Sequence, residues 1–282
     1  MALPSGTLMP FAERVLYEDD QLLVLDKPAG WLMHGDRPEE PTLLAHALEY
    51  LRESGFTSDF TPAFVHRLDR ETSGVAVLAK TKEAVRSLNR QLKFKEIQKE
   101  YLALVVGEIR PQGSIRFSLQ KQMDRKRWLA LMVPVRRGGI FAQTDYKRLD
   151  VFEWTPSPPS PLPGPNPLPP SLKGRGGSPP SLEEGLGERS GVRKFSYVAA
   201  YPRTGRTHQV RAHFAAVGCP IVGDDLYGNP ELNERLRKEL GVTRMLLHAA
   251  AIEFLHPRTN QRVRIEAPLP QDFQDVLRRL RP

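Results

Sequence analysis

The sequence predicts an α+β fold with a mixed, mostly antiparallel sheet, flanked by helices and loops. Two observations lead to this prediction. Strand-like segments dominate the pattern, and the helical segments are scattered between hairpins instead of alternating with single strands. A doubly wound sheet would need that alternation, so we do not expect one. A chain of 282 residues with 40% hydrophobic residues can bury a good core.

The N-terminal half combines short apolar strands with two capped helices. The segment 15–30, VLYEDDQLLVLDKPAG, predicts a hairpin around an acidic turn. Helices are expected at 42–55 and at about 82–94, where Thr42 and Thr81 can cap the first turns. Further strands are expected at AFV (63–65), SGVAVLAKT (73–81) and KEYLALVVGEI (99–109).

The C-terminal half continues the same pattern after one long interruption. We expect strands at about 115–119, 128–133, 142–151 and 194–202, then a helix at 206–218 and a short polar helix at 232–240. A strand at 244–256 should pair with one at 262–268, and a helix at 272–280 closes the chain.

Residues 155–191 interrupt this pattern with a proline-rich segment. It holds 11 of the 26 prolines between positions 156 and 180, so it cannot join a sheet or a helix and should be disordered. The simplest interpretation is a hairpin with a long insertion in its loop, because VFEW before it and KFSYV after it look like paired strands. An interdomain linker is the alternative.

The net charge of +8 and the pI near 9.7 favour a polyanionic partner. The charges of the insertion cancel, so the excess belongs to the remaining sequence. The sequence contains no run of 18 apolar residues, so we expect no membrane span. Its N-terminus does not resemble a secretory signal. The single cysteine, Cys219, fits a cytoplasmic protein.

Motifs for metals and nucleotides are missing from the sequence. It has no GxGxxG, no phosphate loop ending in GK, no GxSxG and no HExxH. We therefore expect no metal site.

One carboxylate stands out, in the segment HRLDRETSG (66–74). Asp69 lies between Arg67 and Arg70, directly before an apolar strand. A carboxylate flanked by arginines stays ionised, which suits a nucleophile or a base. Taken alone, the same pattern is also typical of a surface ion pair at the corner of a strand.

Three further segments have both a functional and a structural interpretation. In YPRTGRTHQVRAH (201–213), a basic helix start could bind an anion, or it could be a solvated helix face. In KEYLALV (99–105) and RMLLHA (244–249), an aromatic and apolar side chains could contact a substrate, or they could belong to the core.

These segments, in this order, closely resemble the RluA-type RNA pseudouridine synthases. The resemblance covers about 15–154 and 193–268 and implies the pseudouridine synthase catalytic fold, with an active-site cleft across the sheet. It implies one catalytic domain at 15–282, interrupted by 155–191, after a tail at 1–14 and without the family's S4-like domain. We expect the insertion to leave catalysis intact.

The resemblance also implies the roles of individual residues. Asp69 would attack the ribose of a flipped-out uridine, either as a nucleophile at C1′ or as a base that removes the 2′ proton. Tyr101 would stack on the base, and Arg211 would pair with Asp69. Phosphates or the aspartate would be contacted by Arg67 and Arg206, and the apolar wall against the base would be formed by Leu246 and Leu247.

The implied activity is the isomerisation of uridine in structured rRNA or tRNA, in a stem-loop, by a monomer that needs no cofactor, metal or membrane. The basic residues Lys93, Lys95, Lys99, Arg125, Lys126 and Arg127 would line the RNA track. Two other interpretations remain: a non-catalytic RNA-binding or RNA-folding protein that retains the fold, and a glycosylase that releases uracil.

Overall fold

The computed structural model describes residues 11–35, 42–124, 129–156 and 192–281. These residues form two compact units: Met1–Gln98 with Ala249–Pro268, and Lys99–His248 with Leu269–Pro282. Residues 1–10 of the predicted tail and residues 157–191 of the predicted insertion lie outside the described residues, as do Arg125, Lys126 and Arg127. The predicted domain boundaries stay a prediction.

The first unit contains a short antiparallel sheet and two helices. A 3-10 helix at Phe11–Arg14 is followed by β1 (Val15–Glu18), β2 (Leu22–Lys27), α1 (Leu43–Glu53), β3 (Ala63–Phe64), β4 (Ser73–Ala79) and α2 (Lys82–Phe94). The strand β10 (Leu247–Leu255) enters the unit at Ala249, and β11 (Arg262–Glu266) pairs with it in antiparallel fashion. β2 lies between β1 and β4, and β3 also pairs with β4.

Both predicted helix caps of this unit are confirmed. The Thr42 hydroxyl accepts a hydrogen bond from the backbone N–H of Ala45, and the Thr81 hydroxyl accepts one from Ala84, each at 3.1 Å. These bonds satisfy donors that the first turn of a helix leaves open. The apolar faces of β2, β4 and α2 pack together with β10 and β11 around Val24, Val77, Leu88, Phe254 and Ile265.

The second unit is built on five antiparallel strands in the order β5-β9-β8-β6-β7. These are β5 (Gln98–Val106), β6 (Gln112–Asp124), β7 (Leu129–Val135), β8 (Ile140–Trp154) and β9 (Arg193–Pro202). The predicted hairpin is confirmed, because Phe152 pairs with Phe195 and Trp154 with Arg193. The sequence 155–191 therefore separates two paired strands.

Three helices complete the second unit: α3 (Gln209–Ala216), α4 (Pro230–Leu240) and α5 (Gln271–Leu280). α3 packs in a cluster with Val198 and Leu247, whereas α4 and α5 pack in another with Leu104 and Leu246. Strands and helices together confirm the predicted α+β class, and the described residues contain no helix that is long and apolar enough to span a membrane.

Gly74 allows the close approach of β4 and β10 in the first unit. Its φ is +109°, and a Cβ added there would lie 2.2 Å from the carbonyl oxygen of Ala249. Side chains are therefore excluded twice, by the backbone conformation and by a backbone contact.

We predict that Gly74→Ala lowers the free energy of unfolding by at least about 3 kcal/mol, because the Ala249 backbone must move. Urea denaturation followed by circular dichroism measures this change. Gly55→Ala is the matched control, since Gly55 has a φ of +77° but no atom within 4 Å of the added Cβ. It should cost only the left-handed backbone strain, about 1–2 kcal/mol. Equal losses in both variants would contradict the prediction.

Candidate active site

Asp69 lies on the turn between β3 and β4 in the first unit. Its backbone carbonyl accepts a hydrogen bond from the N–H of Thr72 at 3.1 Å, which closes the turn. Leu68 and Thr72 are buried on either side, Asp69 is half-buried, and Arg67 is exposed. The turn therefore anchors its neighbours in the protein while the carboxylate keeps partial access to solvent.

A buried ammonium group holds this turn in place. Lys27, the last residue of β2, is fully buried, and its Nζ donates to the carbonyls of Pro28 at 2.9 Å, Arg70 at 2.8 Å and Thr72 at 2.8 Å. An ammonium has three donors, so three carbonyl oxygens match its capacity. Burying a charge is costly unless it is hydrogen-bonded, and here the charge joins the segment 27–28 to the Asp69 turn.

Gly30 and Arg70 add a second link between the same two segments. The N–H of Gly30 donates to the Arg70 carbonyl at 2.8 Å, and Nε of Arg70 donates to the Gly30 carbonyl at 3.0 Å. On the other side of the turn, Nε2 of His66 accepts from the N–H of Val77 in β4 at 3.2 Å. The backbone on both sides of Asp69 is thus tied to the sheet.

We predict that Lys27→Met lowers the free energy of unfolding by about 2–4 kcal/mol, because the three carbonyls lose a charged donor. Urea denaturation measures this change. Lys147→Met, at an exposed strand position, is the control. A Lys27 variant with unchanged stability would refute this role.

In the second unit, Arg211 points into a buried ion pair with Asp224. Nε of Arg211 lies 2.8 Å from Oδ2 of Asp224, and Nη2 lies 2.8 Å from Oδ1. Both side chains are almost fully buried. Asp224 also accepts from the N–H groups of Leu226 at 2.9 Å and Tyr227 at 3.0 Å. A buried bidentate pair of this kind fixes the plane of the guanidinium.

Tyr227 extends this network. The guanidinium carbon of Arg211 lies 5.2 Å from the centre of the Tyr227 ring. The Tyr227 hydroxyl accepts from the N–H of Met132 in β7 at 2.8 Å and lies 3.1 Å from Nδ1 of His208. The turn 223–228 therefore connects α3 to the β6–β7 hairpin through Arg211. The predicted pairing of Arg211 with Asp69 stays a prediction.

We predict that Asp224→Asn lowers the free energy of unfolding by about 3–5 kcal/mol, because it leaves the buried Arg211 without its anion. Asp225→Asn is the matched control on the neighbouring residue, whose carboxylate is exposed and pairs with Arg237. Exposed pairs contribute about 0–1 kcal/mol. Thermal and urea denaturation compare the two variants. Losses of similar size would show that the buried Asp224–Arg211 pair stabilises the protein no more than the exposed Asp225–Arg237 pair.

Tyr101 and the two candidate leucines lie in different packing environments. Tyr101 is half-buried on β5, opposite Ala200 of β9, and packs against the cluster that contains Leu247. Leu246 packs in the other cluster, with α4 and α5, and its carbonyl accepts from the N–H of Leu104 at 3.1 Å. The structure therefore brings Leu247 to the side of Tyr101 and Leu246 to the opposite packing cluster.

Burial shifts the pKa of a lysine and of a histidine in this unit. Burial lowers the pKa of the Lys99 ammonium, two residues before Tyr101, to about 8. Burial also lowers the pKa of His213 in α3 to about 4. His213 is fully buried, and its Nδ1 lies 2.9 Å from the hydroxyl of Thr144. At neutral pH His213 is therefore an uncharged packing residue of α3.

Arg206 is exposed just before α3. The segment 206–208 was expected to be helical, but α3 begins at Gln209. The Gln209 side chain is the reason: its oxygen accepts from the Thr204 hydroxyl at 2.6 Å and from the N–H of Arg206 at 3.1 Å, and its nitrogen donates to the Gln143 carbonyl. These bonds hold 204–208 as a turn, in which His208 has a φ of +51°.

Lys27 and Asp224 are the residues whose role sequence reasoning missed. Lys27 was included only in the predicted hairpin at 15–30, where Asp26 separates it from the apolar run before it. The buried partner of Arg211 had no separate signal, because Asp224 and Asp225 are adjacent and only the fold distinguishes them. Among the described residues no group of three or more His, Cys, Asp or Glu could hold a metal ion.

Comparisons with known proteins agree with this architecture. The solved structure of human RNA pseudouridylate synthase domain containing 4 matches with a TM-score of 0.66 at 22% identity, over 96% of this chain and 94% of that chain. The fold is therefore that of a pseudouridylate synthase domain.

Sequence comparisons narrow the class further. The family model for RNA pseudouridylate synthase matches residues 21–216. The chain is 35% identical over 275 residues to ribosomal large subunit pseudouridine synthase C of Yersinia pestis, covering 96% of this chain and 70% of that protein. It is 32% identical over 260 residues to tRNA pseudouridine synthase C of Haemophilus ducreyi, covering 92% of both. The chain belongs to the RNA pseudouridylate synthase family, which confirms the predicted resemblance and enzyme class.

Proposed function

We propose that this protein isomerises specific uridines to pseudouridine in structured rRNA or tRNA. The N1–C1′ bond breaks, the base turns, a C5–C1′ bond forms, and the proton that leaves C5 is balanced by one gained at N1. Nothing is added or removed overall, so the reaction needs no cofactor. Family membership, the rRNA and tRNA named for its relatives, and the net charge of +8 support this proposal.

The observation that carries the proposal is the fixation of the Asp69 turn by Lys27 and Gly30. A carboxylate that attacks a sugar must be held in place, since orientation supplies much of the rate enhancement. Asp69 either bonds to C1′ or removes the 2′ proton. In both cases the uridine must leave its base stack to be reached.

The other candidate residues receive supporting roles in this proposal. Tyr101, with Leu247 in the adjoining cluster, stacks against the flipped base. Arg211, whose plane is fixed by Asp224, orients the reacting carboxylate. The exposed arginines Arg67 and Arg206 contact phosphates. Leu246 is the weakest of the assigned residues, because it packs with α4 and α5.

We further propose a monomer that acts in the cytoplasm on a stem-loop. The buried Cys219, whose pKa burial raises to about 11, is unsuited to disulfide exchange and fits a reducing compartment.

We predict that Asp69→Ala and Asp69→Asn lower kcat by at least about 10³-fold, because the reacting group is lost while the fold is kept. The purified protein is incubated with large-subunit rRNA and tRNA transcripts, and pseudouridine is mapped by carbodiimide treatment and primer stops. Glu71→Gln removes an exposed carboxylate from the same turn and should leave kcat unchanged.

The same assay separates the alternatives. If the wild type forms no pseudouridine but binds the RNA, the protein is an RNA-binding protein that retains the fold. If it releases free uracil, it is a glycosylase. If wild type and both Asp69 variants give equal stops, Asp69 is not the reacting residue.

A further inference from the structure

The outer face of α2 carries a row of cations. Taking 3.6 residues per turn, four basic side chains fall within roughly 80° of arc and extend along about 16 Å of the helix axis. All four are exposed: Lys82, Arg86, Arg90 and Lys93. The buried residues of the helix, Ala84, Leu88 and Gln91, lie on the opposite face. We call these four cations the α2 basic row.

The cations of the α2 basic row have no acidic partners among the residues that the structure describes. Glu83 and Glu96 are near in sequence, but neither forms an ion pair with the row. Most cations of the other exposed helices are instead paired along the helix: Arg52 with Glu49 on α1, Lys238 with Glu234 on α4 and Arg278 with Asp275 on α5. The cations of the α2 basic row are therefore not neutralised by ion pairs.

Phe94 ends the helix beside this row. Its side chain is 61% exposed, more than any other large hydrophobic residue among those described. The Lys93 ammonium lies 5.9 Å from its ring centre, and Lys95 turns the chain away with a φ of +60°. An exposed aromatic ring between two lysines has no packing role, whereas it offers a flat face for stacking.

We propose that the α2 basic row and Phe94 bind one strand of the RNA substrate, with phosphates on the cations and an unpaired base on the Phe94 ring. The proposal rests on the proposed function only for the identity of the RNA. A straight row of cations matches the continuous charge of a nucleic-acid backbone, and the ring adds a contact specific for bases. A membrane surface fits less well, because the apolar face of α2 is packed against β4 in the core.

The test compares two triple variants that each remove three positive charges from a chain of net charge +8. The first is Arg86→Gln/Arg90→Gln/Lys93→Gln, on the α2 basic row. The control is Arg52→Gln/Lys238→Gln/Arg278→Gln, which removes exposed, ion-paired helix cations. Glutamine keeps helix propensity near that of the original residues. Filter binding to the rRNA and tRNA transcripts is measured between 50 and 200 mM salt.

We expect the α2 variant to reduce the slope of log K against log salt by about 2 to 3, since each lost phosphate contact removes about 0.7–0.9. KM should rise while kcat at saturating RNA stays unchanged. The control should keep the slope and KM of the wild type. Equal slopes for the two variants would overturn the proposal, because the α2 basic row would then affect binding only through the net charge of the protein.

Phe94→Leu tests the stacking contact separately. It should weaken RNA binding about tenfold, whereas Phe94→Tyr, which keeps a flat ring, should bind like the wild type. Equal affinity for Phe94→Leu and wild type would remove Phe94 from the surface. A wild type that forms no pseudouridine contradicts the proposed function, whereas an active wild type with an α2 variant like the control contradicts only this inference.

Discussion

The three hydrogen bonds of the Lys27 ammonium are the constraint on which the turn that carries Asp69 depends. β2 lies between β1 and β4, and its last residue, Lys27, pairs with Gly74 of β4. The Asp69 turn has little regular structure of its own, and it acquires rigidity by bonding to that residue. A neutral side chain could not serve three carbonyls at once, which explains why a charge is buried here despite its desolvation cost. Asp69, the proposed reacting residue, is therefore positioned by a basic residue that does not need to touch the substrate.

In the second unit a buried charged group also holds a candidate residue in place, but here the buried group is a carboxylate. Arg211 is the group that would face the reaction, and the buried carboxylate of Asp224 fixes it. Asp224 is itself held by two backbone N–H groups of its own turn, so the network ends on backbone and not on mobile side chains. In both units the proposed functional group is held by a buried partner of opposite charge or polarity. Such partners are costly to bury and costly to remove, so they tie the stability of each unit to the geometry of its site.

Local signals in the sequence predicted most of the elements of the fold. Thr42 and Thr81 define their helices because a capping hydroxyl acts within three residues. Pairing of β8 with β9 was predictable across 155–191 because the two flanking segments share the alternation of strands. The parts of the fold that the sequence did not predict depend on longer-range contacts. α3 begins three residues late because Gln209 bonds to Thr204 and Gln143, and the last residues of the predicted tail, Phe11–Arg14, form a 3-10 helix.

The candidate site shows the same limit more clearly. The resemblance selected Asp69, Tyr101 and Arg211 by their motifs, but a motif names residues without naming the groups that hold them. Leu246 and Leu247 are adjacent in sequence, but Leu246 precedes β10 and packs with α4 and α5, so one motif could not place both beside Tyr101. The sequence has the same limit for electrostatics. The net charge of +8 favours a polyanionic partner, but only the ion pairs on the helices show where positive charge is not neutralised. On α1, α4 and α5 most cations pair with a carboxylate of the same helix, whereas among the described residues the α2 basic row forms no ion pair, and that difference is a property of the fold and not of the composition.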